Sequence, residues 1–381
     1  MFGPMRAVLA CVLAMPMAMA TATARASDCA PQPGVRDVTG RPWAQDRLGF
    51  QQAWKLSRGD GVVVAVVDSG VDAAHLQLAD RVVGSVDLTG TGPRDCVGHG
   101  TAVAGIVAAR DMTSRGIPFV GVAPEARILA IKQTERQNGD VARLAEAIRR
   151  AADAGADVIN VSVQAGDQPD LKAAVTYAQS KDIVIVAAAG NVQQQDRLVT
   201  PAYPANYPGV IAVGSASRDS ARSEFSNEAT RISVTAPGAD ITSIWTGGGY
   251  RTDLDGTSFA APFVAGVAAL VRARFPELDY WQVKRRIEDT ADGGGVAGTG
   301  AGMVNPLQAV SAVLADEPDA PRTPRAVAVA ERVEPDRHVR SVAIAVAGGG
   351  AGVSFLVVFA AVTIRGGRRR GWRPGVSRVS R

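Results

Sequence analysis

The sequence predicts an α/β protein, a three-layer, doubly wound, mainly parallel sheet with helices on both faces, followed by one C-terminal transmembrane helix. Two observations carry that expectation. Short β-branched runs with little polar alternation, such as Val62–Val67 (VVVAVV), recur between helical patterns, as strands covered on both faces do. A run of 24 residues without charge, 341–364, lies between Arg340 and an arginine-rich end and is long enough to cross a bilayer.

The elements follow in chain order. Met1–Arg6 is short and basic, Ala7–Ala20 is apolar, and small residues stand at Ala20, Ala24 and Ala26. That is the pattern of a secretory signal over 1–26, with the mature chain starting near Ser27. An uncleaved anchor is the alternative, although the apolar core is short for a bilayer. With Cys11 in the signal, Cys29 and Cys96 remain. In an exported protein they most simply form one disulfide; two unpaired buried thiols are the alternative. Such a bridge would stabilise the fold by roughly 4 kcal/mol through the unfolded chain. It would also pin an N-terminal arm, 27–61, to the segment that carries His99.

A catalytic domain is expected over 62–314. Ile128–Ile131, Val158–Val163, Ile183–Ala187 and Val210–Val213 read as further strands. Between them, 140–155 places Val141, Leu144, Ile148 and Ala151 on one stripe behind Asp140 as a cap, and Pro169–Ser180 is similar. This βαβα order implies right-handed crossovers, with functional groups gathered beyond the carboxyl ends of the strands. A Pro- and charge-rich segment, 315–340, reads as a linker, 341–364 as the membrane span and 365–381 as a basic tail. The positive-inside rule puts that tail in the cytoplasm and the domain outside. The chain's formal charge of +4 does not indicate a nucleic-acid partner. Arg365, Arg368, Arg369, Arg370, Arg373, Arg378 and Arg381 lie in the tail without one acid, and the rest of the chain is slightly acidic.

Three residues suggest chemistry. Asp68 follows VVVAVV, where an aspartate is often only a turn residue. Of three histidines, His338 is in the linker, His75 is in a polar loop, and His99 opens the helical pattern GHGTAVAGIVAA. Ser258, in GTSFAAPFVAGVAAL, stands at a helix start, where a serine usually serves as a cap. Pro262 is tolerable if that helix begins near Ser258, because the first four N–H groups have no intrahelical partner. Together the three form a set. A serine hydroxyl needs an imidazole to take its proton, and the imidazole needs a buried carboxylate to fix its tautomer.

DSGVD, GHGTAVAGI and GTSFAAPFVAG resemble the three signatures of the subtilisin-like serine proteases, over roughly Gly49 to Leu314. The resemblance implies that Asp68 orients, His99 acts as base and then acid, and Ser258 attacks the scissile carbonyl. It also implies that Asn191, in IVIVAAAGN, supplies an oxyanion donor, whereas Asn160, in VINVSV, is structural. Ser162, Val163, Gln164, Ala189 and Gly190 fall on the implied substrate-binding edges. Gln164 stands where the family usually has glycine, which leads us to expect a restricted specificity. No cofactor is implied. No acid cluster has the spacing of a calcium loop, so no metal site is assigned, and calcium is left open.

From Ser27 to Gly61 the chain is too short for the usual folding prodomain. That arm, RPWAQDRLGF, DCVGHGTAVAG, the linker, the single span and the basic tail resemble the mycosins, membrane-anchored subtilisin-like proteases of actinobacterial type VII secretion systems. The implied function is a membrane-anchored serine endopeptidase acting on exported proteins or peptides, with the type VII membrane complex as partner. The alternative is a structural subunit of that complex in which proteolysis is dispensable. A free-standing nutrient protease is disfavoured by the span and tail.

Overall fold

The computed structural model describes residues 29, 34–135, 140–192, 199–315, 317, 356 and 358–371. The signal segment, most of the linker with His338, much of the expected span and the end of the tail lie outside the described residues. The first half contains α1 (Trp43–Leu48), β1 (Val63–Asp68), β2 (Val82–Asp87), α2 (His99–Ala108), β3 (Arg127–Lys132), α3 (Val141–Asp153) and β4 (Val158–Val161). Then come α4 (Pro169–Ser180), β5 (Val184–Ala188), β6 (Ile211–Ala216), β7 (Val234–Pro237), β8 (Ile241–Trp245) and β9 (Gly249–Leu254). The domain ends with α5 (Thr257–Arg274), α6 (Tyr280–Asp289), β10 (Asp292–Gly293), β11 (Gly302–Met303) and α7 (Pro306–Ser311).

Alternation along each strand sets the layers. Val64, Val66, Ile128, Ala130, Val158 and Val186 join one buried cluster with α2 and α5, whereas Ala65, Val67, Leu129, Ile131, Ile159 and Ile185 join another with α3 and α4. Successive strand residues point to opposite faces, so each strand needs a helix layer on either side. The nine-stranded sheet runs β10-β11-β7-β6-β5-β4-β1-β3-β2, parallel except for the β10–β11 pair. The strand order reverses direction about β1, and crevices for ligands form beyond the carboxyl ends at such a point. The sequence reading did not place β2 or the strands after β6. β2 is a partly exposed edge strand, and the antiparallel pair β8–β9 forms a separate small sheet.

The arm is built into the domain as well as pinned to it. Cys29 and Cys96 form a disulfide, and Val35 exchanges backbone hydrogen bonds with Tyr250. Ala44, Leu48, Phe50 and Ala53 enter the core. The buried Gln45 amide donates to the Pro118 carbonyl and accepts from the Val120 N–H. In the separate C-terminal unit, residues 358–369 are helical. No helix of the described residues is long and apolar enough to cross a membrane.

Candidate active site

The carboxyl end of β1 and the amino ends of α2 and α5 bring three expected residues together. Asp68 closes β1, His99 opens α2, and Ser258 is the second residue of α5. His99 Nδ1 lies 2.8 Å from Asp68 Oδ1, and His99 Nε2 lies 3.0 Å from Ser258 Oγ. An ionised carboxylate can only accept, so Nδ1 carries the hydrogen toward Asp68 and Nε2 is left to accept from the serine hydroxyl. Burial works to lower the His99 pKa, but the charge and hydrogen bond of Asp68, with the charge of Asp95, outweigh it and hold the imidazole above its usual value.

Small residues allow this approach. A Cβ at Gly100 would lie 2.1 Å from the Gly70 carbonyl oxygen and 3.1 Å from the Asp68 Cβ. Gly98 has φ 94°, and a Cβ there would strike the Trp245 ring at 2.3 Å. The sequence reading missed Asp95, buried four residues before His99. Its carboxylate accepts from the backbone of Val97, Gly98 and Thr101 and from the hydroxyls of Ser69 and Thr101, which holds the start of α2. An aspartate shortly before a helix start was the available signal.

Pro262 differs from expectation. α5 begins at Thr257, so Pro262 is its sixth residue, beyond the turn whose N–H groups are free anyway. A proline there leaves the carbonyl four residues earlier, that of Ser258, without its helical donor. Ser162 Oγ supplies the donor instead, at 2.8 Å from Ser258 O, and Asn160 Nδ2 donates to Ser162 Oγ at 2.8 Å. Asn160 is thus structural, as read, and the Ser162 hydroxyl faces the serine's backbone. Val163, the next residue, packs in the apolar cluster under α3 and α4. The expected strand over Val158–Val163 ends at Val161, which frees residues 162–164 to form an edge.

Asn191 stands just beyond β5. Its Oδ1 accepts from the Thr257 N–H and hydroxyl, both at 2.9 Å, so its Nδ2 is the end left for another partner. Thr257 was not singled out in the sequence, although it adjoins Ser258. The Asn191 N–H donates to Gln164 Oε1 at 3.2 Å, so the Gln164 side chain bridges the two expected substrate edges. Gly190 donates to Thr257 Oγ1, and Ala189 donates to the Val213 carbonyl.

His75 lies in the loop between β1 and β2, as expected, but it is enclosed by the fold. It is buried, with Nε2 3.2 Å from the Gly249 carbonyl oxygen and Nδ1 accepting from the Gln77 N–H. Burial lowers its pKa, and it stands apart from the three residues above. No group of three or more His, Cys, Asp or Glu side chains among the described residues is placed to hold a metal ion.

Residues 59–311 match the family model described as the subtilase family. The chain is 35% identical over 340 residues to Mycosin-1 of Mycolicibacterium smegmatis, covering 73% of this chain and 74% of that one. It is 36% identical over 380 residues to Mycosin-4 of Mycobacterium tuberculosis, covering 86% and 82%. The crystal structure of MycP1 from the ESX-1 type VII secretion system superposes with a TM-score of 0.66 at 34% identity, over 75% of this chain and 90% of that one.

Proposed function

The chain belongs to the subtilase family of serine proteases, and we propose that it is a membrane-anchored endopeptidase that processes proteins exported by a type VII secretion system. The observation that supports the chemistry is the pair of short contacts from one imidazole, 2.8 Å to Asp68 and 3.0 Å to Ser258. His99 Nε2 takes the hydroxyl proton as Ser258 Oγ bonds to the scissile carbonyl carbon. Asp68 holds the tautomer and stabilises the imidazolium. The oxyanion is received by Asn191 Nδ2 and the Ser258 N–H, a donor in the first turn of α5 without an intrahelical acceptor. The carbonyl re-forms as the C–N bond breaks, and His99 gives its proton to the leaving amine. Water then enters by the reverse sequence, releasing the acid and restoring Ser258.

Substrate binding is assigned to the edges 162–164 and 189–190, with Gln164 restricting the first pocket. The anchor and the outward orientation rest on the sequence, on the apolar run 341–364 and the basic tail. The type VII setting rests on the likeness to mycosins. A fluorophosphonate probe tests the nucleophile: it should label the wild type and leave Ser258→Ala unlabelled. The termini of exported proteins, compared between wild type and Ser258→Ala cells, test the role. Unchanged termini with full secretion by Ser258→Ala would leave the structural-subunit reading in its place.

A further inference from the structure

Lys132 ends β3 directly opposite Asp68 in the parallel register, and its side chain is buried. An ammonium has three N–H groups and no acceptor, so burial is tolerable only where oxygens surround it. Four do. Nζ lies 2.9 Å from Thr91 Oγ1, 3.0 Å from the Gly92 carbonyl oxygen, 2.9 Å from the Arg94 carbonyl oxygen and 3.1 Å from Glu135 Oε1. Glu135 is only partly buried. Asp87 adds a further negative charge nearby and ties the same loop by accepting from Thr89 and Gly92.

A hydroxyl, two carbonyls and a carboxylate around one point form the donor set of a hard-cation site. The last of those carbonyls belongs to Arg94. Asp95 follows, with the carboxylate that gathers the N–H groups of Val97, Gly98 and Thr101 around His99. We propose that the loop 87–95 is a cation site whose resident cation is the Lys132 ammonium, and that Lys132 thereby acts as a positioning residue for His99. The inference rests on the assignment of His99 as the base. It assigns a use to a buried charge that the peptidase chemistry leaves unexplained. The loop carries its counter-charge within the chain and does not depend on a captured ion to hold the histidine against Asp68.

The test uses full-length protein carrying Lys132→Met or Lys132→Ala, with a peptide substrate assayed across pH in chelator. Methylammonium or calcium chloride is then added. Both variants should lose at least tenfold in kcat with little change in KM. The acid limb of kcat/KM should move to lower pH, because a loosened contact with Asp68 no longer holds the imidazole pKa up. Lys132→Ala should regain at least threefold with one of the added cations, and Lys132→Met, whose side chain fills the space, should not. Wild-type kcat with an unmoved limb would overturn the proposal. So would a loss of melting temperature with the limb unmoved, or no recovery of Lys132→Ala by either cation. Ser258→Ala in the same assay keeps the two ideas apart: if it retains activity, the peptidase assignment itself has failed.

Discussion

The two helical layers that cover the sheet are built on different principles. α3 and α4 are ordinary surface helices: Leu144, Ile148 and Ala151 of the one and Leu171, Ala174 and Val175 of the other face the sheet, with polar residues outside. α2 and α5 are apolar nearly all round, and the described residues bury both over most of their length. Only the second pair carries His99 and Ser258 at its amino ends. A helix enclosed by the core cannot shift, so its first turn is a firm platform for side chains that must meet within hydrogen-bond distance. The reactive residues thus sit where packing leaves the backbone least freedom.

The largest effect should come from the amino end of α5. Ser258→Ala should lower kcat by at least about a thousandfold without altering the melting temperature, measured on a peptide substrate and by calorimetry. Asn191→Ala should come next. Loss of one oxyanion donor costs about 10²–10³ in kcat, or about 3–4 kcal/mol of transition-state stabilisation, with KM little changed. A change confined to KM would place Asn191 in substrate binding instead.

Ser162→Ala probes the platform itself. The Ser258 carbonyl lies four residues before Pro262 and would be left without a donor, and a buried unsatisfied acceptor costs about 1–3 kcal/mol. We expect a fall in kcat of about tenfold together with a lower melting temperature. Ser162→Thr, which keeps the hydroxyl, should restore most of both. If Ser162→Ala changes only KM, its role is limited to the substrate edge.

The pH dependence follows from the imidazole that joins α2 to α5. His99 must be neutral to accept a proton, and Asp68 holds its pKa above the ordinary 6.5. Activity should therefore rise with pH through a midpoint above 6.5. For stability the sign is opposite in sense: a raised folded-state pKa contributes stability below the unfolded value and loses it as pH climbs through the folded one. An acid limb below 6.5 would contradict the close contact with Asp68.

The same division governs what the sequence could reveal. α3 was legible from period alone, because one face is wet and Asp140 marks its start; the structure has Asp140 accepting from Ala142 and Arg143. The central strands were legible because burial on both faces removes polar alternation. α2 and α5 have no such contrast, and they were found through the residues that open them. The supports were mostly invisible. Lys132, Thr257 and the use of Ser162 depend on carbonyls and N–H groups that come together only when β1, β3, β4 and the amino ends of the two buried helices are side by side, whereas Asp95 works mainly on groups close to it in sequence. β2 was missed because an edge strand with partial exposure lacks the signal of the centre. His75 was placed in its loop, but its burial could not be read there, because the groups that enclose it, Tyr250 and Gly249, are distant in sequence.

The smallest effect on activity should come from the other layer, and it is the sharpest test of the contrast. Ile148 is fully buried on the inner face of α3, against the side of the sheet that α2 and α5 do not touch. Ile148→Ala removes three carbons from a packed interior and should cost about 2–5 kcal/mol of stability, read as a lower urea midpoint at unchanged slope. At a temperature where the variant remains folded, its kcat/KM should match the wild type. The reacting groups are carried by the opposite layer and the strand ends, and a close-packed sheet yields little to a cavity on its far face. A parallel fall in kcat/KM and stability would mean that the two layers act as one body and that the firmness assigned to α2 and α5 is shared by the whole domain.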